Sequence, residues 1–135
     1  MATPCNIAIQ LDDKTIKAIY CHFDGYVKKG VGETLIKYYS DKDIVERLVN
    51  LGDISYLGKK IGDGSEHKSF DKYDRDTTLF YSRDRGDPFS DTQPATYYSV
   101  SEYLSGGDIK FRYLFDGNCW YVAIDNCLTP VINLL

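Results

Sequence analysis

Polar and apolar residues alternate over Asn6-Ile7-Ala8-Ile9-Gln10-Leu11, the period of a half-buried strand. Residues 15–23 are β-branched and aromatic, and Asp12-Asp13-Lys14 between the two runs has turn chemistry, so 6–23 reads as a hairpin. The period then changes. Leu35, Ile36 and Tyr39 share one helical face, and Ile44, Val45, Leu48, Val49 and Leu51 form a second apolar stripe. These stripes predict helices over 31–39 and 41–51. The second opens on Ser40-Asp41-Lys42-Asp43 as its N-cap region, with Gly52 as a natural residue after its end. Residues 53–58 read as a short ordered connection, and 59–76 as a long polar surface loop. A strand follows at 77–82, then a second polar loop beginning at Arg83 and running to Thr96. Ser99-Val100-Ser101-Glu102 has capping-box spacing and opens a short helix that ends at Gly106-Gly107. Strands at 109–115 and 119–124 flank Asp116-Gly117-Asn118, a strong hairpin turn. In the first of these, alternation places Ile109, Phe111 and Tyr113 inward and Lys110 and Arg112 outward.

The order is ββααβαββ. Its simplest packing is a single α+β domain over residues 1–135, with one mainly antiparallel sheet of about five strands and the helices on one face. Ile44, Leu48, Leu51, Leu79, Phe111 and Val122 are the expected core.

Composition narrows the function classes. With 135 residues, 43% apolar and 27% charged, the chain has globular composition. Sixteen of the twenty acidic residues are Asp, and the net charge of −4 argues against direct nucleic-acid binding. The N-terminal residues lack a basic and apolar leader, and no apolar run reaches membrane-spanning length, so a cytoplasmic location without membrane partners is expected. Cys5, Cys21, Cys119 and Cys127 form no C-x-x-C pair and combine with no His into a zinc pattern. Cys5 and Cys21 could meet across the first hairpin; in a reducing compartment all four are expected as thiols.

The string Tyr20-Cys21-His22-Phe23-Asp24-Gly25-Tyr26, then Gly30-Val31-Gly32 with Leu35 and Tyr38-Tyr39, resembles the opening of a family of small uncharacterised proteins of bacteriophages, prophages and other bacterial mobile elements. Val49-Asn50-Leu51-Gly52-Asp53-Ile54-Ser55 with Leu57-Gly58 fits the same pattern, as do Tyr81-Ser82-Arg83-Asp84-Arg85-Gly86 and Tyr113-Leu114-Phe115-Asp116-Gly117 with Trp120-Tyr121-Val122. Relatives often carry Pro after the Asp-Gly-Tyr, where Val27 stands here. The resemblance implies a phage or phage-derived setting, and action against host systems, without naming an activity.

Four constellations carry candidate chemistry. His22 and Asp24, two apart at a strand end, have the spacing of a base and its orienter, and Tyr26 adjoins them. No nucleophile is matched to them, so a structural turn is the stronger reading and no catalytic residue is assigned. Arg83-Asp84-Arg85 could grip a phosphate or carboxylate, since a guanidinium binds two oxygens at once; the competing reading is a self-neutralised strand end. Gly30-Val31-Gly32 before a helix could offer amides to an anion, but no Gly-Lys-Ser/Thr follows, which favours an ordinary helix start. Asp71, Asp74 and Asp76 lack the glycine and terminal Glu of a calcium loop, so no metal is assigned. Tyr73, Tyr97 and Tyr98 stand in or beside loops, where Tyr brings contact area with few rotors.

The expectation is therefore a non-enzymatic, phage-derived interaction protein that binds and inhibits a host protein, such as a component of a bacterial defence system, without a cofactor and with its oligomeric state open. Tyr73, Arg83, Asp84, Arg85, Tyr97 and Tyr98 are its candidate contacts, and His22, Asp24 and Tyr26 form a second patch. The first alternative is a binder or sponge for an anionic, nucleotide-like small molecule held by Arg83, Arg85, Arg112 and Trp120. The second is a small hydrolase-like enzyme using His22 and Asp24.

Overall fold

The computed structural model describes residues 2–67 and 74–135. Strand β1 (Cys5–Gln10) lies in the middle of the sheet, antiparallel to β2 (Ile16–Cys21) and parallel to β6 (Phe111–Phe115). Beyond β2 come β3 (Ile54–Tyr56) and β4 (Leu79–Phe80); beyond β6 come β7 (Trp120–Ile124) and β8 (Cys127–Pro130). A further strand, β5 (Ala95–Tyr97), pairs with the first half of β2. The class is α+β as expected, but the sheet is mixed and has eight strands among the described residues rather than about five. The extra strands are short ones. β3 replaces the expected connection, β5 takes up the end of the expected loop 83–96 and runs one residue past it, and β8 is the start of the apolar tail.

Helices α1 (Val31–Tyr38) and α2 (Lys42–Asn50) form where the stripes predict them. Asp41, not Ser40, caps α2, accepting a 2.8 Å hydrogen bond from the Asp43 amide. Gly52 follows at φ +93°, and a Cβ there would meet the Thr92 carbonyl at 2.5 Å, so only glycine fits. Val45, Leu48 and Val49 are buried with Ile7, Ile9, Ile19, Tyr113 and Val122 in the main core on one face of the sheet. Of the expected core, Leu48, Leu79 and Val122 are buried and Leu51 and Phe111 half-buried. Ile44 is exposed, because the stripe is one residue narrower than it reads.

The expectation that all helices share one face is also corrected. Helix α5 (Val100–Leu104) covers the opposite face, where Tyr103 packs with Ala8, Ile16, Ala18 and Leu114. Ser99 caps it by accepting from the Glu102 amide at 3.0 Å, as the capping-box spacing requires, while the Glu102 carboxylate accepts from the Tyr98 amide. Central strands are thus buried on both faces, which explains the unbroken apolar run Ile7-Ala8-Ile9.

Cys5 and Cys21 are register partners across the hairpin, fully buried as free thiols, and burial together with the neighbouring Cys21 pushes the Cys5 thiol well up. Cys119 and Cys127 are exposed and free.

Three buried tyrosines tie loops to this frame. Tyr39 donates to the Gly58 carbonyl at 2.8 Å, Tyr103 to the Tyr113 carbonyl at 2.8 Å, and Tyr113 to the Gly25 carbonyl at 2.7 Å. Burial raises all three phenols, Tyr39 to about 12 from the ordinary value of 10.0. The unfolded chain therefore ionises first as the solution turns alkaline. The stability held by the Tyr39 hydroxyl is complete below pH 10.0 and is lost as pH climbs through about 12. An absorbance titration should show a late group of tyrosines ionising together with loss of far-UV ellipticity. Ionisation of all twelve in one phase on an intact fold would contradict the burial.

Candidate functional site

The candidate site is built where β2 and β3 run out side by side. The parallel pairing of Cys21 with Ile54 is prolonged by the His22 amide donating to Ile54 O and the Phe23 amide donating to Ser55 O. The chain then turns sharply. Asp24 sits at φ +62°, a left-handed conformation that Asp and Asn tolerate better than most residues. Gly25 packs so closely on the N-terminal segment that a Cβ would meet the Thr3 carbonyl at 2.7 Å.

The carbonyls of Asp24, Tyr26 and Val27 then accept from the amides of Val31, Gly32 and Glu33. The first turn of α1 is therefore already satisfied from within, so Gly30-Val31-Gly32 is an ordinary helix start rather than an anion cradle.

A pocket of about 440 Å³ opens beside this turn, lined by Phe23, Ser55, Tyr56, Arg75 and Arg85. Its size lies within the range of small-molecule sites. Arg75 lies over Tyr56, its guanidinium carbon 4.2 Å from the ring centroid, and donates to Asp24 Oδ2 at 3.1 Å. Asp24 Oδ1 accepts from the Tyr26 hydroxyl at 2.9 Å, and that hydrogen bond raises the Tyr26 phenol. Arg85 stacks over Tyr81 at 5.5 Å, and among the described residues no carboxylate lies within ion-pairing distance of it. The two sequence patches thus meet in part: Phe23 and the Asp24–Arg75 pair come from one side, Arg85 from the other.

Arg83 and Asp84 do not belong to this surface. The polar stretch after Phe80 is not a loop but helices α3 (Tyr81–Arg85) and α4 (Phe89–Thr92). The Asp84 side chain is fully buried; it accepts from the Phe80 amide at 2.8 Å and from Arg83 Nε at 2.8 Å. Arg83 also donates to the Gly62 and Thr78 carbonyls and stacks on Phe80, and His67 Nε2 stands 3.1 Å from Thr78 O. This cluster fastens the 59–67 segment to α3. The expected contact pair is an internal clamp because the helix turns both side chains inward.

His22 and Asp24 are not hydrogen-bonded to each other. His22 Nδ1 lies 2.7 Å from the Tyr20 hydroxyl, and Asp24 is engaged by Tyr26 and Arg75. Tyr97 and Tyr98 sit at the other end of β2: Tyr97 packs on the Tyr103 ring, while Tyr98 is 73% exposed. Tyr73 and Asp71 lie outside the described residues.

Arg112 does not point outward. It is buried, and it donates to the Ile109 and Gly107 carbonyls. Trp120 is buried in the main core and donates to the Tyr39 carbonyl at 2.7 Å. The grouping of Arg83, Arg85, Arg112 and Trp120 around one anion is therefore corrected; of the four, only Arg85 lines the pocket. Sequence reasoning missed Arg75, Tyr56 and Ser55, which no local pattern marks. Asp74, assigned no metal, accepts from the Asp76 amide and the Thr77 hydroxyl, and the Thr77 bond holds its carboxyl below the usual range. Among the described residues no group of three His, Cys, Asp or Glu is placed to hold a metal ion.

Comparison of the chain with protein-family models, with curated proteins and with solved structures yields no match. Among the described residues no helix is long and apolar enough to cross a membrane.

Proposed function

We propose that this chain is a non-enzymatic binding protein and that its pocket takes an anionic, nucleotide-like small molecule. The observation that supports this is the pairing of Arg85, which has no carboxylate partner among the described residues, with the rings of Phe23 and Tyr56 around one pocket. A guanidinium offers two parallel donors to a phosphate or carboxylate, and the half-exposed Phe23 ring offers a base an aromatic contact, the buried Tyr56 ring being covered by Arg75. The site rests on strand ends and on a turn held by Tyr113 and α1, so it is formed before a ligand arrives.

A thermal-shift screen against nucleotides tests the reading. A ligand at 100 times its dissociation constant adds about 2.7 kcal/mol of stability, which is readily seen as a rise in Tm. The parent should shift with at least one nucleotide, and Arg85→Glu should abolish that shift while melting like the parent without ligand. No shift with any anionic metabolite removes the reading.

A second reading, a phage-derived inhibitor of a host protein, is favoured by the exposed rings of Tyr98 and Phe89, which are 73% and 45% accessible. Stoichiometric recovery of one bacterial protein on the chain, with no nucleotide shift, would replace the first reading by this one.

A further inference from the structure

Asp24 is the one acidic side chain bonded to the wall of the pocket among the described residues, and its place there is unusual. Its backbone is held in the left-handed region at φ +62°, and its carbonyl is tied to the Val31 amide at 2.8 Å. Its carboxylate is shared, one oxygen accepting from Tyr26 and the other from Arg75. Both partners of the Asp24–Arg75 pair are about half exposed, with side chains 46% and 57% accessible, so the pair contributes little to stability. What the pair changes is the charge that a ligand meets. Arg75 and Arg85 alone present two positive charges; with Asp24 seated on Arg75 the three groups sum to one.

On the reading of the pocket given above, we propose that Asp24 sets its charge selectivity. It blocks one edge of Arg75 and so favours a nucleotide bearing a single negative charge, a phosphate diester, over one bearing a terminal dianionic phosphate. Arg85 then supplies the donors for the diester oxygens, while Arg75 acts as a stacked wall over Tyr56. A terminal phosphate brings a second negative charge near the Asp24 carboxylate. Two unit charges 4 Å apart repel by about 1 kcal/mol in water, which is about a fivefold penalty in affinity.

Calorimetric titration of the whole chain at pH 8 with cyclic adenosine 3′,5′-monophosphate and with adenosine 5′-monophosphate measures this. The second phosphate pKa is about 6, so the monophosphate is then a dianion. The parent should prefer the cyclic diester. Asp24→Asn, which keeps a residue that tolerates positive φ, should move the ratio of the two dissociation constants about fivefold toward the monophosphate. Asp24→Glu should restore the preference. If the parent binds neither nucleotide, this inference falls, while the pocket reading is decided by the thermal-shift screen. If the parent binds but Asp24→Asn leaves the ratio unchanged, or loses both ligands, the pocket reading stands and the selectivity role of Asp24 is overturned.

Discussion

Arg83→Ala should destabilise the protein by about 3 kcal/mol, whereas Arg85→Ala, two residues along the same helix, should cost less than about 1 kcal/mol. The two arginines look equivalent in the sequence and differ only in what surrounds them. Arg83 is the cation facing a carboxylate that is shut away from water, and it also satisfies the Gly62 and Thr78 carbonyls. Removing it leaves Asp84 charged and buried with the Phe80 amide as its nearest remaining donor, while the Gly62 and Thr78 carbonyls keep only Arg47 and His67 as side-chain partners. Arg85 is exposed and stands over the half-buried ring of Tyr81, and a stacked cation at an exposed site is worth about 0.5–1 kcal/mol. Urea unfolding of both variants decides the matter. Arg83→Ala within about 0.5 kcal/mol of the parent would mean that the buried clamp is not formed. The contrast also assigns the binding defect: charge reversal should be made at Arg85 alone, since a double reversal would confuse lost binding with lost folding.

Leu48→Ala should cost about 2–5 kcal/mol, while Ile44→Ala, one turn earlier on the same helix, should cost less than about 1 kcal/mol. Leu48 is fully buried among Ile7, Ile19, Phe80 and Val122 in the main core, and truncating it removes transfer energy and leaves a cavity. Ile44 is 41% exposed. Unfolding curves for the pair test the rotation of α2 about its axis. Equal losses at both positions would require the helix to be turned toward Ile44.

Long, periodic elements were legible in advance. The hairpin of β1 and β2, the helices α1 and α2, the capping box of α5 and the hairpin of β6 and β7 all carry their signals within a few residues of themselves. Turn chemistry at Asp116-Gly117-Asn118, with Gly117 at φ +104° and the Asp116 carboxylate accepting from the Asn118 and Cys119 amides, is local in the same sense. The short strands were not legible. β4 has two residues and β3 three, too few to show any period, and each exists because a neighbouring edge supplies its hydrogen bonds. The stretch from Arg83 to Asp87 reads as loop because it is charged, yet it begins as a helix whose polar groups are satisfied internally.

The candidate site divides the same way. The left-handed turn at Asp24-Gly25 and the loop-to-helix start at Gly30 are properties of the local chain, and the sequence determined them with the hairpin and helices around them. That Arg75 lies on Tyr56 and reaches Asp24, 51 positions away, is decided by tertiary structure alone. So are the burial of Arg112 and Trp120, the inward turn of Arg83 and the exposure of Arg85. Periodicity reports which face of an element is apolar; it carries no information on which distant element will cover that face. A side chain's charge states what it needs, an acceptor or water, and only the packed structure settles which of the two it receives.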